Sequence, residues 1–445
     1  MLDLQGGPRL QELLVEAVRE GNVLPLTGQC NVNCIFCSHK SNPPSARAYS
    51  FPPVPEKQVT ELIKFLNPAR KIIIGESATL LREGEPLTHP SFIQILKLIR
   101  HTHPRTLIQI TTNATLLDTE KVQELEALMP VEIIVSLNSA TTSGRKIIMG
   151  LKQAGDTQNA VKALCRFGIP YHGSIVALPH LVGFDDIKET VLYLDGKEAL
   201  TVRLLLPGYT RFSSPELSCG DDMINRLPVY IEDLREQFAI PLIIEPPLVT
   251  DLDPIIEGVI RSSPADATGL QRGDRILAVD GIKPRSRVEA FNLIEKKANP
   301  AVKLSRDGKI ADNIINKEAA SSPGLVMNYD LNPVQVEQVK RIEGERKLAL
   351  VSMPALKRWE LAAEIFSLKN VDFKAVKSHY FGGSINCSGL LTVSDYQEAL
   401  KNISHIKDYE KLLLPSIAFD RSGYDVSGMH YLELDSSGVP IELVF

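Results

Sequence analysis

No apolar stretch of this sequence approaches the ~20 residues that cross a bilayer. The longest runs, such as 348–351, have the length of a strand, so no membrane span is expected. The opening 22 residues alternate apolar and charged positions and lack the uncharged core of a secretion signal, which predicts a cytoplasmic protein. Basic charge is not in excess: 49 Lys and Arg stand against 54 Asp and Glu, so there is no global field to draw in nucleic acid, and no such partner is expected. Cysteine is scarce. Of six, Cys30, Cys34 and Cys37 are clustered while Cys165, Cys219 and Cys387 stand alone, unlike the spaced framework of a secreted disulfide protein. There is neither an internal repeat nor a low-complexity tract.

What is present is enough chain for two or three domains, and we expect three. From residue 22 to about 245, β-branched runs at 71–74, 107–111, 132–136, 173–177 and 202–206 alternate with amphipathic stretches such as 91–101 and 119–129. That alternation predicts an α/β fold, a partial (β/α) barrel of parallel strands over 1–245, with its site at the strands' C-terminal ends. Three prolines in 246–254 break the pattern. A small β-rich domain follows over 250–317, where runs at 276–281 and 302–309 carry Asp-Gly turn signals and 286–298 reads as a helix. Over 320–445 a C-terminal α/β domain takes up the alternation again, with strands at 347–352 and 412–417, an extended run from 371, and helices at 355–368 and 394–402.

The segment Cys30-Asn-Val-Asn-Cys34-Ile-Phe-Cys37 places three thiols on one loop after a short apolar run. Three thiolates wrapped around a common centre suit a cubane cluster, ligating three irons and leaving the fourth for another ligand. A zinc site would want a fourth Cys or His; His39 is near, but no second Cys-x-x-Cys pair completes a ribbon. Three inert thiols are the remaining alternative.

The spacing, with Phe36 just before the third cysteine, resembles the signature of the radical S-adenosylmethionine (SAM) superfamily. The resemblance implies that Cys30, Cys34 and Cys37 hold a [4Fe-4S] cluster whose open iron chelates the methionine end of SAM. An electron from a ferredoxin- or flavodoxin-type donor then cleaves SAM to a 5′-deoxyadenosyl radical, an oxidoreductase chemistry carried by the cofactor. Gly84-Glu85-Pro86 resembles the family's Gly-Gly-Glu-Pro segment, with Glu83 in place of the first glycine; Glu85 is the implied partner of the methionine ammonium and Glu76, at a strand end, its rival. Thr111-Thr-Asn113 resembles a Thr-Asn-Gly turn with Ala114 in place of glycine. Ser136 and Asn138 close the next strand, where the family reaches the ribose or carboxylate of SAM, and Arg145 follows them. For each of these polar residues, a strand-end side chain bonding its own backbone is the alternative. Cys165 and Cys219 read as buried inert thiols, so no auxiliary cluster is expected.

The run from Ile256-Glu-Gly258 through Ser263-Pro-Ala265 to Gly273-Asp-Arg-Ile-Leu-Ala-Val-Asp-Gly281 resembles a bacterial PDZ domain. A PDZ domain adds a guest strand to a sheet edge and captures its terminal carboxylate, which implies a peptide or protein C-terminus as partner. The edge 258–262 is the expected one, because Gly258 admits a close backbone approach; a closed spacer domain is the alternative. The stretch His379-Tyr-Phe-Gly382-Gly383 through Cys387 to Thr392 resembles the C-terminal domain of DUF512 proteins, here with the PDZ region between the other two modules. Its glycine pair reads as a tight turn rather than a phosphate cradle. Together these readings predict a radical SAM enzyme acting on an unknown substrate, a peptide or protein tail before a small metabolite. The rival, from another class, is a non-catalytic iron–sulfur scaffold or redox adaptor.

Overall fold

Asn22 sets the entry to the first sheet. It adopts a left-handed conformation (φ 55°), and its side chain donates to the carbonyls of Asn67, Arg70 and Lys71 while accepting from Asn67 N–H. Residues 23–26 then run beside the first strand, with Leu24 N–H donating to Ile73 O. The computed structural model describes residues 7–76, 80–151 and 155–444, so the first six residues of the opening segment lie outside the described ones. The chain divides into two compact units. One holds the chain up to Lys40, Arg47–Pro207 and Ser214–Ala239; the other holds Ser41–Ala46, Gly208–Ser213 and everything from Ile240. No described helix is long and apolar enough to cross a membrane.

In the first unit the β-branched runs form β1 (Ile72–Ile74), β2 (Ile108–Thr112), β3 (Val131–Ser136), β4 (Tyr171–Val176) and β5 (Val202–Leu205), neighbours in that order and all parallel. Helices Phe92–Thr102, Thr119–Glu126, Gly155–Arg166 and Phe184–Asp195 make the crossovers. Strand alternation separates two faces. Ile72, Ile74, Ile108, Ile110, Ile133 and Ile175 are all but fully buried, each contributing roughly 1.5–3 kcal/mol by leaving water. The opposite face is polar: the register sets Gln109 beside Glu132, and Ser174 beside Arg203. His172 completes it. Burial, with Lys71 and Arg203 nearby, holds His172 down to about 4, so the imidazole is neutral at pH 7.

In the second unit β6 (Leu242–Glu245) precedes β7 (Gly258–Val259), β8 (Arg275–Val279), β9 (Ala301–Arg306), β10 (Lys309–Ile314) and β11 (Leu325–Val326). Both Asp-Gly signals are turns with positive φ at each residue, 48° and 78° at Asp280-Gly281 and 48° and 77° at Asp307-Gly308, the handedness that suits twisted antiparallel strands. The final sheet is parallel, ordered β13 (Val371–Val376), β12 (Lys347–Ser352), β14 (Lys411–Pro415), β15 (Ile441–Val444). The expected helix at 355–368 spans Met353–Ile365, because Pro354 can occupy a first-turn position that needs no N–H, and Ser367 turns left-handed at φ 56°. The helix Pro333–Arg341 and strand β15 were not foreseen. Their apolar residues join a core around Leu252, Val336, Val339, Trp359 and Val444, so they are stabilised by burial in the assembled unit.

One side of the expected guest edge at 258–262 is already paired. β7 pairs antiparallel with β11, Ile260 N–H donating to Gly324 O at 2.8 Å and Glu257 N–H to Val326 O at 2.9 Å. The close approach that Gly258 permits is that of Pro241, whose Cβ lies 2.7 Å from where a Cβ on Gly258 would be.

Candidate cofactor site

The cysteine loop is clamped from two sides. On one side stands the segment Glu83–Pro86. Gly84 N–H donates to Thr27 O and Glu85 N–H to Gln29 O, both at 2.7 Å. A Cβ on Gly84 would sit 1.9 Å from Gln29 O, so only glycine allows this approach next to Cys30. Glu85 is buried, and its carboxylate accepts from Thr112 Oγ1 (2.6 Å), Asn113 N–H (2.8 Å) and Leu87 N–H (3.3 Å). Burial raises its pKa, and those donors oppose the rise. Asn113 reaches back from the end of β2, donating from Nδ2 to Asn31 Oδ1 at 2.9 Å. The adjoining Ala114 stands at φ 57°, so the residue replacing the family's glycine carries a left-handed conformation that glycine adopts without strain.

On the other side stands the helix Thr142–Met149. It is capped by Thr141 Oγ1, which accepts from Gly144 N–H, and stopped by Gly150 at φ 67°. Its last carbonyls hold the loop on both flanks of Cys34: Asn33 N–H donates to Met149 O (3.1 Å) and Ile35 N–H to Ile148 O (2.9 Å). Lys40 Nζ donates to Cys34 O at 2.9 Å.

All three cysteines of the loop are free thiols, Cys30 exposed and the others half-buried. Burial pushes Cys34 up to about 12, and the charges of Cys30 and Cys37 add to the rise while Lys40 opposes it. Cys30 is raised in the same way, by burial and then by Glu85 and Cys37. No three His, Cys, Asp or Glu side chains among the described residues are drawn together as ligands of a single ion. Their ionised forms would repel one another, and a cationic centre that displaces the protons offsets burial and repulsion together. That donor set, held on a loop pinned at residues 29, 33 and 35, fits an iron–sulfur cluster. His39 is spent otherwise, its Nε2 being 3.0 Å from Glu83 O.

The remaining sequence candidates fall into two groups. Gly84, Glu85 and Asn113 are bonded to the cysteine loop or to one another, and Phe36 lies within that loop, half-buried. Asn138 is buried with φ 60°, its Oδ1 accepting from Val176 N–H (2.9 Å) and its Nδ2 donating to Ser136 O (3.2 Å). Its side chain thus joins the ends of β3 and β4, and Ser136 enters the network through its backbone. Glu76 lies over the polar face, accepting from Gln109 Nε2 and Thr111 Oγ1 at 3.1 Å each. Cys165 Sγ lies 3.5 Å from Glu198 Oε2, away from the other thiols. Thr112, Asn31, Gln29 and Thr157 were missed; the doubled threonine at 111–112 was the one signal for them.

Residues 24–194 match the family model of the Radical SAM superfamily, and residues 255–305 match that of a PDZ domain. Residues 24–194 form a radical SAM domain. It is an enzyme's domain, and its cofactors are a [4Fe-4S] cluster and SAM. The chain is similar to a probable GTP 3',8-cyclase of Methanothermobacter thermautotrophicus, 35% identical over 95 residues, which are 21% of this chain and 28% of that protein. Among solved structures it is similar to Streptococcus suis SuiB bound to precursor peptide SuiA, at 15% identity and a TM-score of 0.39, covering 50% of this chain and 48% of that one. It is also similar to native anSMEcpe with bound AdoMet, at 15% identity and a TM-score of 0.36, covering 50% and 62%. The chain therefore spans about half the length of SuiB and under a third of the cyclase. Within the radical SAM domain, the two clamps on the cysteine loop follow β1 and β3, with Asn113 at the end of β2 bonded to the first of them, on the side where an open α/β sheet receives its ligands.

β11 follows the residues that match the PDZ model and pairs with β7 within them. Ile260 and Gly324 form a hydrogen-bonded pair, so the next pair, Val259 and Leu325, does not, and the N–H and C=O of Leu325 face away from β7. A groove of about 420 Å³ is lined by Val288, Phe291 and Asn292 of the helix Arg287–Lys296 and by Leu325, Met327 and Tyr329.

Proposed function

We propose that this protein is a radical SAM enzyme that modifies a polar substrate, a peptide or protein tail. The observation that carries the reading is the cysteine loop held on both flanks, by Gly84-Glu85 at Gln29 and by the helix Thr142–Met149 at Asn33 and Ile35. When bound, the cluster and SAM supply one-electron cleavage to a 5′-deoxyadenosyl radical, the electron coming from a ferredoxin- or flavodoxin-type donor. Cys30, Cys34 and Cys37 would ligate the cluster, and the backbone at Gly84-Glu85, shaped by Thr112 and Asn113, would receive the methionine end of SAM. The sheet face bearing Glu76, Gln109, Glu132, His172 and Arg203 would receive the substrate, with groups of both charge signs to orient it. The PDZ groove at Leu325 would hold a peptide C-terminus by strand addition. The 320–445 module, read as DUF512-like, would serve presentation of the substrate.

The test is anaerobic reconstitution followed by incubation with dithionite and SAM. Release of 5′-deoxyadenosine without added substrate is expected. A sample replete in cluster that releases none would leave the protein as an iron–sulfur adaptor.

A further inference from the structure

Arg145 is fully buried and has no carboxylate within ion-pair distance among the described residues. Nη1 donates to Leu137 O and Nη2 to Thr157 Oγ1, each at 2.6 Å; both acceptors are neutral, and Nε finds none. A buried guanidinium held only by neutral groups is costly unless some other negative charge answers it. Its place in the fold names that charge. Arg145 lies on the same helix, one turn before Ile148 and Met149, the residues whose carbonyls hold the loop on either side of Cys34. Burial brings it down to about 10, still protonated at neutral pH, and a negative charge on Cys34 opposes that shift ahead of Asp156 and Tyr193. Thr157 Oγ1 in turn donates to Asn113 O, tying the guanidinium's second anchor to the opposite clamp.

We propose that Arg145 is the buried counter-charge of the [4Fe-4S] cluster, raising its reduction potential so that the reduced state is reachable. This rests on the radical SAM reading of residues 24–194. A cluster held by three thiolates gains a negative charge when it takes up an electron, and a fixed cation in a low-dielectric site favours that more charged state. Arg145 is thus a positioning residue that acts through the cluster without touching the substrate.

The experiment compares the full chain, reconstituted anaerobically, with Arg145→Met and Arg145→Lys. Iron and sulfide per chain are measured, and the midpoint potential is read by EPR-monitored titration without SAM, which reports on whatever fraction of cluster forms. The Met variant should show a reduction equilibrium shifted at least about tenfold toward the oxidised cluster, about 59 mV for one electron. The Lys variant, which keeps the charge and loses the fork, should stay within about threefold of wild type. A Met variant that holds no cluster beside a Lys variant at wild-type potential also supports the assignment. Equal potentials in wild type and Met would overturn it, as would cluster loss in both variants, which would leave Arg145 a structural clamp. Wild-type protein that takes up no iron would overturn the radical SAM reading itself, and this inference with it.

Discussion

Replacing Gly84 by alanine tests whether the glutamate segment and the cysteine loop are one built site. The new Cβ would lie 1.9, 2.4 and 2.7 Å from the carbonyl oxygen, carbonyl carbon and nitrogen of Gln29. All three are backbone atoms of the residue before Cys30, so no side chain can swing aside. Relief requires the two backbones to part, which stretches the 2.7 Å bonds from Gly84 N–H to Thr27 O and from Glu85 N–H to Gln29 O. Overpacking costs roughly 1–3 kcal/mol and each weakened hydrogen bond about 1 kcal/mol, a combined loss of roughly 3–5 kcal/mol. In a unit of this size about 1 kcal/mol moves the thermal midpoint by ~2–4 °C, so the apoprotein should melt roughly 6 °C or more below wild type. Iron uptake should fall with it, because Cys30 moves with Gln29. Differential scanning fluorimetry and iron per chain read both effects. A variant with wild-type melting and full iron would refute the reasoning, since it would mean the two backbones do not approach this closely.

Cys34→Ala should abolish a content of about four irons per chain while Cys165→Ala retains it, because only the former sits among the clustered thiols; equal iron in both would contradict the assignment. Burial pushes Glu83 from 4.5 up to about 8, so between those values the folded state keeps a proton that the unfolded state has released. Stability should therefore fall as pH rises through that window, at roughly 1.4 kcal/mol per pH unit. Glu83→Gln, which keeps an acceptor for Leu26 N–H, should flatten that slope in urea melts at pH 5–8, and an unchanged slope would place the titration elsewhere. A peptide with a free C-terminal carboxylate should bind the full chain more tightly than its amidated form by about tenfold or more, as charge-assisted hydrogen bonds contribute roughly 1.5–3 kcal/mol. Phe291→Ala should weaken it further, and calorimetry showing equal affinity for both peptides would leave the groove beside Leu325 without this role.

The sequence determined whatever depends on local order along the chain. The spacing of Cys30, Cys34 and Cys37 suits cluster chemistry wherever the loop lies, because three thiolates on one short segment can be wrapped around a common centre. The β-branched runs became parallel strands because period-two burial against crossover helices leaves them few other arrangements. The two Asp-Gly pairs specified their turns through backbone conformation alone. Tertiary structure decided which residues meet. Gly84 is required by a contact with Gln29, 55 positions earlier in the chain, which no local pattern records. Asn138 joins two strand ends, a contact the sequence could not show, since which partner takes its amide depends on where β4 lies. One side of the edge expected at 258–262 is taken because β11, a two-residue strand beyond the domain end expected from sequence, pairs with β7. In the sequence Arg145 was only a polar residue a few positions after Ser136 and Asn138. Only the packed helix shows a guanidinium sealed from water without a carboxylate beside it, because burial and the absence of a counter-charge are properties of the surroundings rather than of the residue.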